Sequence, residues 1–325
     1  MSRASVLSEL SAAAYARHAL HAEERVWVEK NCYIDLWIEP LGALKVDPVA
    51  ILPFTVAVDF EGDQWTFFKP PHGELFDLYG VDVQELTVWR PLVEHALLHL
   101  SRGTLISTEA DAFYLPDTSG TDYRRSHTKT TIVLNTIDVE RRRLGYFHNA
   151  GYYELEGEDF EKLFRLGEPP DPEFMPLFAE IVRVDRKVVR PRAELVTLSR
   201  ALLAKHWARR PTKNPVARFA QDFQEELPRL QERGLEHYHL WAFAGIRQLG
   251  AAFELSALHA RWLEDPAFEP AARSFDVIAS SAKTFILKAA RAVNAKRAMD
   301  SASLFEGMIK AWDEGMGALG EALGA

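Results

Sequence analysis

An α+β fold is what this sequence predicts: an antiparallel sheet within residues 1–190, then an all-α domain over residues 191–325. Three observations carry that expectation. Runs of β-branched and aromatic residues bounded by turn signals occur only as far as Val184. From Pro191 to Ala325, Ala, Leu, Arg, Glu and Phe recur at helical spacing, with few strand-like runs. Ahead of the last strand-like run stands Gly167-Glu168-Pro169-Pro170-Asp171-Pro172, whose prolines would end any helix and favour an extended linker.

Taken in order, residues 5–20 place Ala, Leu and Tyr at helical spacing, and Val26-Trp27-Val28 leads into Asn31. A second helix is expected to open at Cys32, with Leu36, Trp37, Leu41 and Leu44 as its buried stripe and an end before Asp47-Pro48. Pro40 should kink it or close its first part, because proline removes a hydrogen bond and clashes with the preceding turn. Strands are expected at Trp65–Phe68, Leu105–Thr108, Thr130–Leu134, Leu144–Phe147 and Ile181–Val184, with one helix at residues 90–101 among them. The turn joining the third and fourth of these strands falls at Asp138–Arg141. The chain has no internal repeat and no low-complexity tract.

Bulk composition narrows the function. With 325 residues, 47% hydrophobic and 26% charged, the chain is long enough for two cores. Its 38 basic and 47 acidic side chains leave a net charge of −9, which gives no general attraction to a phosphate backbone, so nucleic acid is not an expected partner. The apolar run Val49–Val58 falls well short of the roughly 20 residues that span a bilayer, so no membrane helix is expected. The N-terminal residues, with Glu9, Glu23 and Glu24, lack the apolar core of a secretory signal, and the expected location is the cytoplasm. A single cysteine, Cys32, cannot form an internal disulfide.

That cysteine is the leading chemical feature. A thiol attacks as thiolate, and a helix N-terminus lowers the cost of the negative charge while its unpaired N–H groups can hold an oxyanion. Asn31-Cys32 before an apolar-periodic helix fits such a placement, although Asn31 could equally be only an N-cap. The base should come from a strand that returns past the helix start, and His127 stands at the entry of the most convincing β-run. Counting back along the hairpin at about 3.3 Å per residue puts Asn149 roughly level with His127 as the orienting group. Cys32, His127 and Asn149 follow the chain order of a thiol triad. The competing reading is a small buried apolar cysteine with no chemistry.

The runs Asn31–Glu39, Asp59–Lys69, Tyr114–Thr118 and Gly145–Tyr152 resemble the bacterial DUF1839 family of uncharacterised proteins over nearly the whole chain. More distantly, the layout is similar to butirosin-biosynthesis acyltransferases of the BtrH type and, through them, to papain-like and bacteriocin-processing cysteine peptidases. Asp111-Ala112-Phe113-Tyr114-Leu115-Pro116, His127 and Asn149 occupy the places of that group's Asp-x-Tyr-Tyr-Leu-Pro-like segment, histidine and polar residue. Arg247–Leu255 with Arg261–Glu264 resembles its glycine- and arginine-containing helical region. The resemblance implies a papain-like catalytic domain with an N-terminal catalytic helix, followed by a helical domain. It implies a cysteine acyltransferase that takes an acyl or aminoacyl group from the phosphopantetheine thioester of a carrier protein to an amine or hydroxyl acceptor. No cofactor of its own is then expected, because the arm arrives with the carrier. Asn31, Gln64, Trp65, Asp111, Tyr114, His148 and Arg247 are the associated substrate-binding candidates, with His148 competing for the orienting role and Gln64 as a side-chain oxyanion donor. The resemblance also implies the carrier as partner, because members of that family are often encoded beside amino acid:carrier-protein ligases. Hydrolysis on the same triad and non-catalytic binding of a carrier are the alternatives, and a homodimer stays open.

Other constellations are weaker. His95 and His99 are four apart on the helix expected at residues 90–101, but no third metal ligand is placed beside them, and His237 and His239 would point apart. Arg141-Arg142-Arg143 and Arg209-Arg210-Pro211-Thr212-Lys213 could dock an acidic carrier or be solvated turns. No phosphate-binding glycine loop or nucleotide fingerprint occurs.

Overall fold

A computed structural model of the chain describes residues 2–168 and 175–325. The prolines read as a linker, Pro169, Pro170 and Pro172, lie outside the described residues. The chain divides into two compact units. A sheet unit comprises Met1–Ala22, Cys32–Asp47 and Pro71–Arg190, and a helical unit comprises Glu23–Asn31, Pro48–Pro70 and Pro191–Ala325. The division after Arg190 is therefore accompanied by two earlier stretches that belong with the helices.

In the sheet unit the elements are β1 (Arg3–Ser5), α1 (Cys32–Ala43), α2 (His72–Tyr79), β2 (Asp82–Glu85), α3 (Leu92–Ser101), β3 (Thr104–Asp111), β4 (Lys129–Asp138), β5 (Arg143–His148), β6 (Gly151–Glu156), α4 (Glu158–Leu163) and β7 (Ala179–Arg183). Among the described residues they build one antiparallel sheet in the order β2-β7-β3-β4-β5-β6, with β1 added beside β4. Alternation along the strands decides what each face meets. Ile106, Ile132, Leu134 and Tyr146 enter a core with Val93, Ala96 and Leu100 of α3. The opposite face carries Phe147 and Tyr152, whose rings meet Tyr15 at 6.1 and 5.8 Å. Tyr15 donates its hydroxyl to Glu39 of α1 at 2.6 Å, which seats α1 on that face.

Helix α1 is buried on nearly every side and continues through Pro40. The missing amide hydrogen bond is outweighed where the ring is buried in the core. Its polar residues are matched: His21 lies between Glu39 Oε1 at 2.5 Å and Asp35 Oδ1 at 3.1 Å. Burial alone would raise the Glu39 carboxyl, but hydrogen bonds from His21 and Tyr15 hold it below its ordinary value.

Two expected elements are replaced. Residues 5–20 form no long helix; Arg3–Ser5 pairs with β4, and only short turns at Ala12–Ala14 and Ala19–His21 follow. The Val6 amide donates to Asn135 O, extending the strand contact, and long-range pairing overrides the local helical spacing. Trp65–Phe68 is no strand either: it makes one isolated bridge, Phe60 to Trp65, in the helical unit.

The helical unit contains α5 (Arg192–Ala208), α6 (Pro215–Arg233), α7 (Leu235–Ala244), α8 (Ile246–Trp262), α9 (Glu269–Ala295) and α10 (Ala302–Leu323). Buried almost throughout, α8 is the centre of this unit. The apolar run Pro48–Ala57 coils tightly beside it, with Thr55 Oγ1 2.8 Å from Ser256 Oγ. Segment Glu23–Asn31 docks through Glu254 of α8, which accepts the amides of Val26 at 2.9 Å and Trp27 at 3.0 Å. Trp27 lies flat on Gly250; a Cβ there would stand 2.5 Å from its Cζ2. No helix among the described residues is long and apolar enough to cross a membrane.

Candidate active site

Cys32 is the first residue of α1 and is partly exposed. The direction of α1 across the sheet follows from its contacts. Near its start, the Tyr33 hydroxyl lies 3.4 Å from Glu180 Oε2 on β7, and Ser107 of β3 donates to the same oxygen at 3.1 Å. Beyond its end, Leu44 O accepts Lys187 Nζ, which follows β7 past Arg183, the partner of Thr104. The helix thus begins toward the end of the sheet where β3 finishes at Asp111 and β4 starts at Lys129. The thiol and its backbone N–H groups lie toward that end.

Two imidazole–carboxylate pairs flank this region, one at the Asp111 end of β3 and one at Glu180, level with Ser107 four residues back along β3. His127 directs Nδ1 to Asp111 Oδ2 at 2.6 Å, and Asp111 is itself fixed by accepting the Phe113 amide at 3.0 Å. The ring stacks on Phe113 at 4.3 Å and meets Tyr114 edge-on at 6.2 Å, with its side chain 65% exposed. With Nδ1–H donated to the carboxylate, Nε2 is the basic nitrogen and has no protein partner among the described residues. The imidazole is not hydrogen-bonded to Cys32 Sγ. The second pair is one that sequence reasoning missed. His72, the first residue of α2, has Nε2 2.9 Å from the Tyr33 hydroxyl and Nδ1 3.5 Å from Glu180 Oε1. Its ring packs on Tyr33 and Trp37 at 6.4 and 6.0 Å. Burial and the Glu180 charge push the Tyr33 phenol well above its usual value, so it remains a neutral donor. The prolines preceding His72 were the available signal, since they mark a helix start.

The expected partner of His127 changes. In the observed register Val133 opposes Phe147, so Asn149 is level with Thr131, four residues or about 13 Å along the strand from His127. A hairpin turn over residues 139–142 and a bulge between Leu134 and Thr136 set that register, and a simple residue count across the turn could not. Asn149 itself forms the β5–β6 turn with a φ of 44°. Asp111, not Asn149, orients the imidazole. His148 is no competitor either: it shares the α3 face with Tyr146, where its Nδ1 meets Asp117 Oδ2 at 2.5 Å and its Nε2 meets Thr130 Oγ1 at 2.8 Å. The Tyr146 hydroxyl donates to the other Asp117 oxygen at 2.5 Å, making this a buried structural knot on the sheet face opposite α1.

The remaining candidates fall in the helical unit. Asn31 donates to Phe68 O at 3.1 Å and to Gln248 Oε1 at 3.2 Å. Arg247 donates to Lys30 O at 3.0 Å and Glu29 O at 3.1 Å, holding the segment that precedes Cys32. Gln64 sits on the exposed turn whose Glu61 amide donates to its carbonyl. Trp65 is core, 1% exposed and packed on Phe60 and Phe219 at 6.0 and 5.9 Å, so it is removed as a substrate contact. Among the described residues no group of three or more His, Cys, Asp or Glu side chains converges as a metal site; His95 and His99 stack on each other at 6.4 Å.

Chemically, a thiol at a helix start with a carboxylate-oriented imidazole at the same sheet end can support nucleophilic acyl transfer. The DUF1839 N-terminal domain matches residues 16–184, and the DUF1839 C-terminal domain matches residues 192–321. No curated protein matches the chain.

Proposed function

The chain belongs to the DUF1839 family, and from that footing we propose that it is a cysteine-dependent acyltransferase with a papain-like arrangement of thiol and imidazole. Cys32 takes an acyl or aminoacyl group from the phosphopantetheine thioester of a carrier protein and passes it to an amine or hydroxyl acceptor. The observation that supports this best is the Asp111–His127 pair at 2.6 Å, with its basic nitrogen open, at the end of the sheet toward which the N-terminus of α1, with Cys32, is directed.

In the proposed reaction His127 Nε2 removes the Cys32 proton, and Sγ attacks the thioester carbonyl. The carbonyl–sulfur bond to the arm breaks as the acyl–Sγ bond forms, and the arm's thiol leaves with the proton His127 had taken. An acceptor amine or alcohol then attacks the acyl-cysteine, giving its proton to His127, and Cys32 departs as thiolate. N–H groups of the first turn of α1 hold the developing oxyanion in both halves. Asp111 keeps the imidazole in the tautomer both halves require.

A second reading has its own observation. The His72–Glu180 pair touches the first turn of α1 through Tyr33. His72 would then be the base, although its Nε2 must first release the Tyr33 hydroxyl.

The test mixes the full chain with an aminoacyl-loaded carrier protein and follows intact mass. Wild type is expected to gain one acyl group and Cys32→Ala none. His127→Ala should slow loading by about 100-fold or more, the usual scale of a general base, while His72→Ala stays within a few-fold. Loss of loading in His72→Ala alone would move the base to His72. Equal loading of Cys32→Ala would end the proposal. Added amines separate transfer from hydrolysis by whether acylated amine or free acid accumulates.

A further inference from the structure

We infer that an arginine-rimmed hollow on the β1–β4–β5 part of the sheet binds a phosphomonoester group. The hollow has a volume of about 110 Å³ and is lined by Arg3, Arg141 and Arg143 together with Thr136, Asp138, Gly145 and Glu154. The pairing pattern builds it: Arg3 opposes Asp138, Asp138 opposes Arg143, and Thr136, Gly145 and Glu154 form one row across β4, β5 and β6. These residues share one sheet face because positions alternate along each strand. Gly145 carries no side chain at the floor, which the Tyr152 hydroxyl fills; a Cβ there would collide with it.

The charges are not balanced within the protein. Arg143 is matched, 3.0 Å from Glu154 and 3.4 Å from Glu156. Arg142, in the same turn, is matched elsewhere, 2.7 Å from Glu161. The guanidinium groups of Arg3 and Arg141, by contrast, have no ion-pair partner among the described residues, although Asp138 lines the same hollow. One oxygen of that carboxylate is already engaged, accepting the Arg141 amide at 3.0 Å. Two planar forks of donors around a small hollow match a tetrahedral dianion, which can accept two hydrogen bonds from each guanidinium. The chain as a whole carries a charge of −9, so a general attraction for anions does not account for binding here. This site stands on residues separate from Cys32 and is independent of the acyl-transfer reading.

Calorimetric titration of the full chain with methyl phosphate and, separately, with inorganic phosphate tests it. Saturable one-to-one binding of methyl phosphate is expected, weakened about tenfold or more in Arg3→Gln/Arg141→Gln, while Arg142→Gln stays within about twofold. An unchanged melting temperature in the double variant, whose side chains are exposed, shows that the fold is retained. Absence of saturable binding, or equal weakening by Arg142→Gln, overturns the proposal. Binding of inorganic phosphate without methyl phosphate overturns the monoester assignment.

Discussion

His259 should make the helical unit sensitive to mild acid in a way a single substitution removes. The residue is 1% exposed on α8, with Nε2 2.7 Å from Ser199 Oγ and its ring stacked on Trp262 at 5.7 Å. Burial, helped by the Arg192 charge, pulls the imidazole down to about 3 from its ordinary 6.5. A histidine whose folded value is lowered stays neutral in the native state while the unfolded chain takes up a proton. Stability from this group is therefore fully present above pH 6.5 and is lost progressively as pH falls toward 3. At about pH 5 the unfolded state has gained roughly one and a half pH units of protonation, about 2 kcal/mol at about 1.4 kcal/mol per unit. His259→Gln keeps a polar side chain near Ser199 but removes the titration. Urea unfolding of both proteins at about pH 7.5 and about pH 5 should show wild type losing about 2 kcal/mol more than the variant between the two conditions. Other titrating groups cancel in that double difference. Equal losses in the two proteins, or an imidazole carbon-bound proton of His259 that titrates by NMR near pH 6.5, would refute the reasoning.

Asp117→Ala strands the Tyr146 hydroxyl and the His148 ring N–H in a buried site and should cost about 2–4 kcal/mol in chemical denaturation. Gly250→Ala drives a methyl group into the Trp27 ring; a loss of about 1–3 kcal/mol is expected, together with a shifted tryptophan emission. In the carrier-loading assay, Asp111→Asn should slow acylation of Cys32 by about 10-fold or more, because an amide can present the wrong group to His127 Nδ1. Asn149→Ala should leave the same rate within about threefold.

Much of the sheet was legible because its strands carry their own signal. Thr130–Leu134 and Leu144–Phe147 are β-branched or aromatic and flanked by turns, and they fall inside β4 and β5. The start of α1 at Cys32 and the helix at Leu92–Ser101 were equally local in origin. Residues whose conformation depends on distant partners were misread. Arg3–Ser5 becomes a strand only because Thr136–Asp138 offers an edge, and Trp65 is drawn into a helical core by Phe219. The same distinction runs through the candidate site. His127 announced itself at the mouth of a strand, whereas its carboxylate partner comes from β3, whose register against β4 no spacing along the chain reveals, and the bulge in β4–β5 moved Asn149 away. Tyr33, His72 and Glu180 meet from three separated segments, and no spacing in the chain connects them.

The way Glu23–Asn31 and Pro48–Pro70 are threaded into the helical unit bears on any attempt to dissect the protein. A fragment beginning at Pro191 would omit Trp27, leaving a slot over Gly250, and would deprive the Glu254 carboxylate of both amides that it accepts. Such a fragment is expected to aggregate or to remain partly unfolded, and a truncated chain ending at Arg190 would carry two orphaned segments, one of them with the apolar run Val49–Val56. Function and folding should therefore be assayed on the uncut polypeptide, and limited proteolysis near residue 190 should yield two pieces that co-purify.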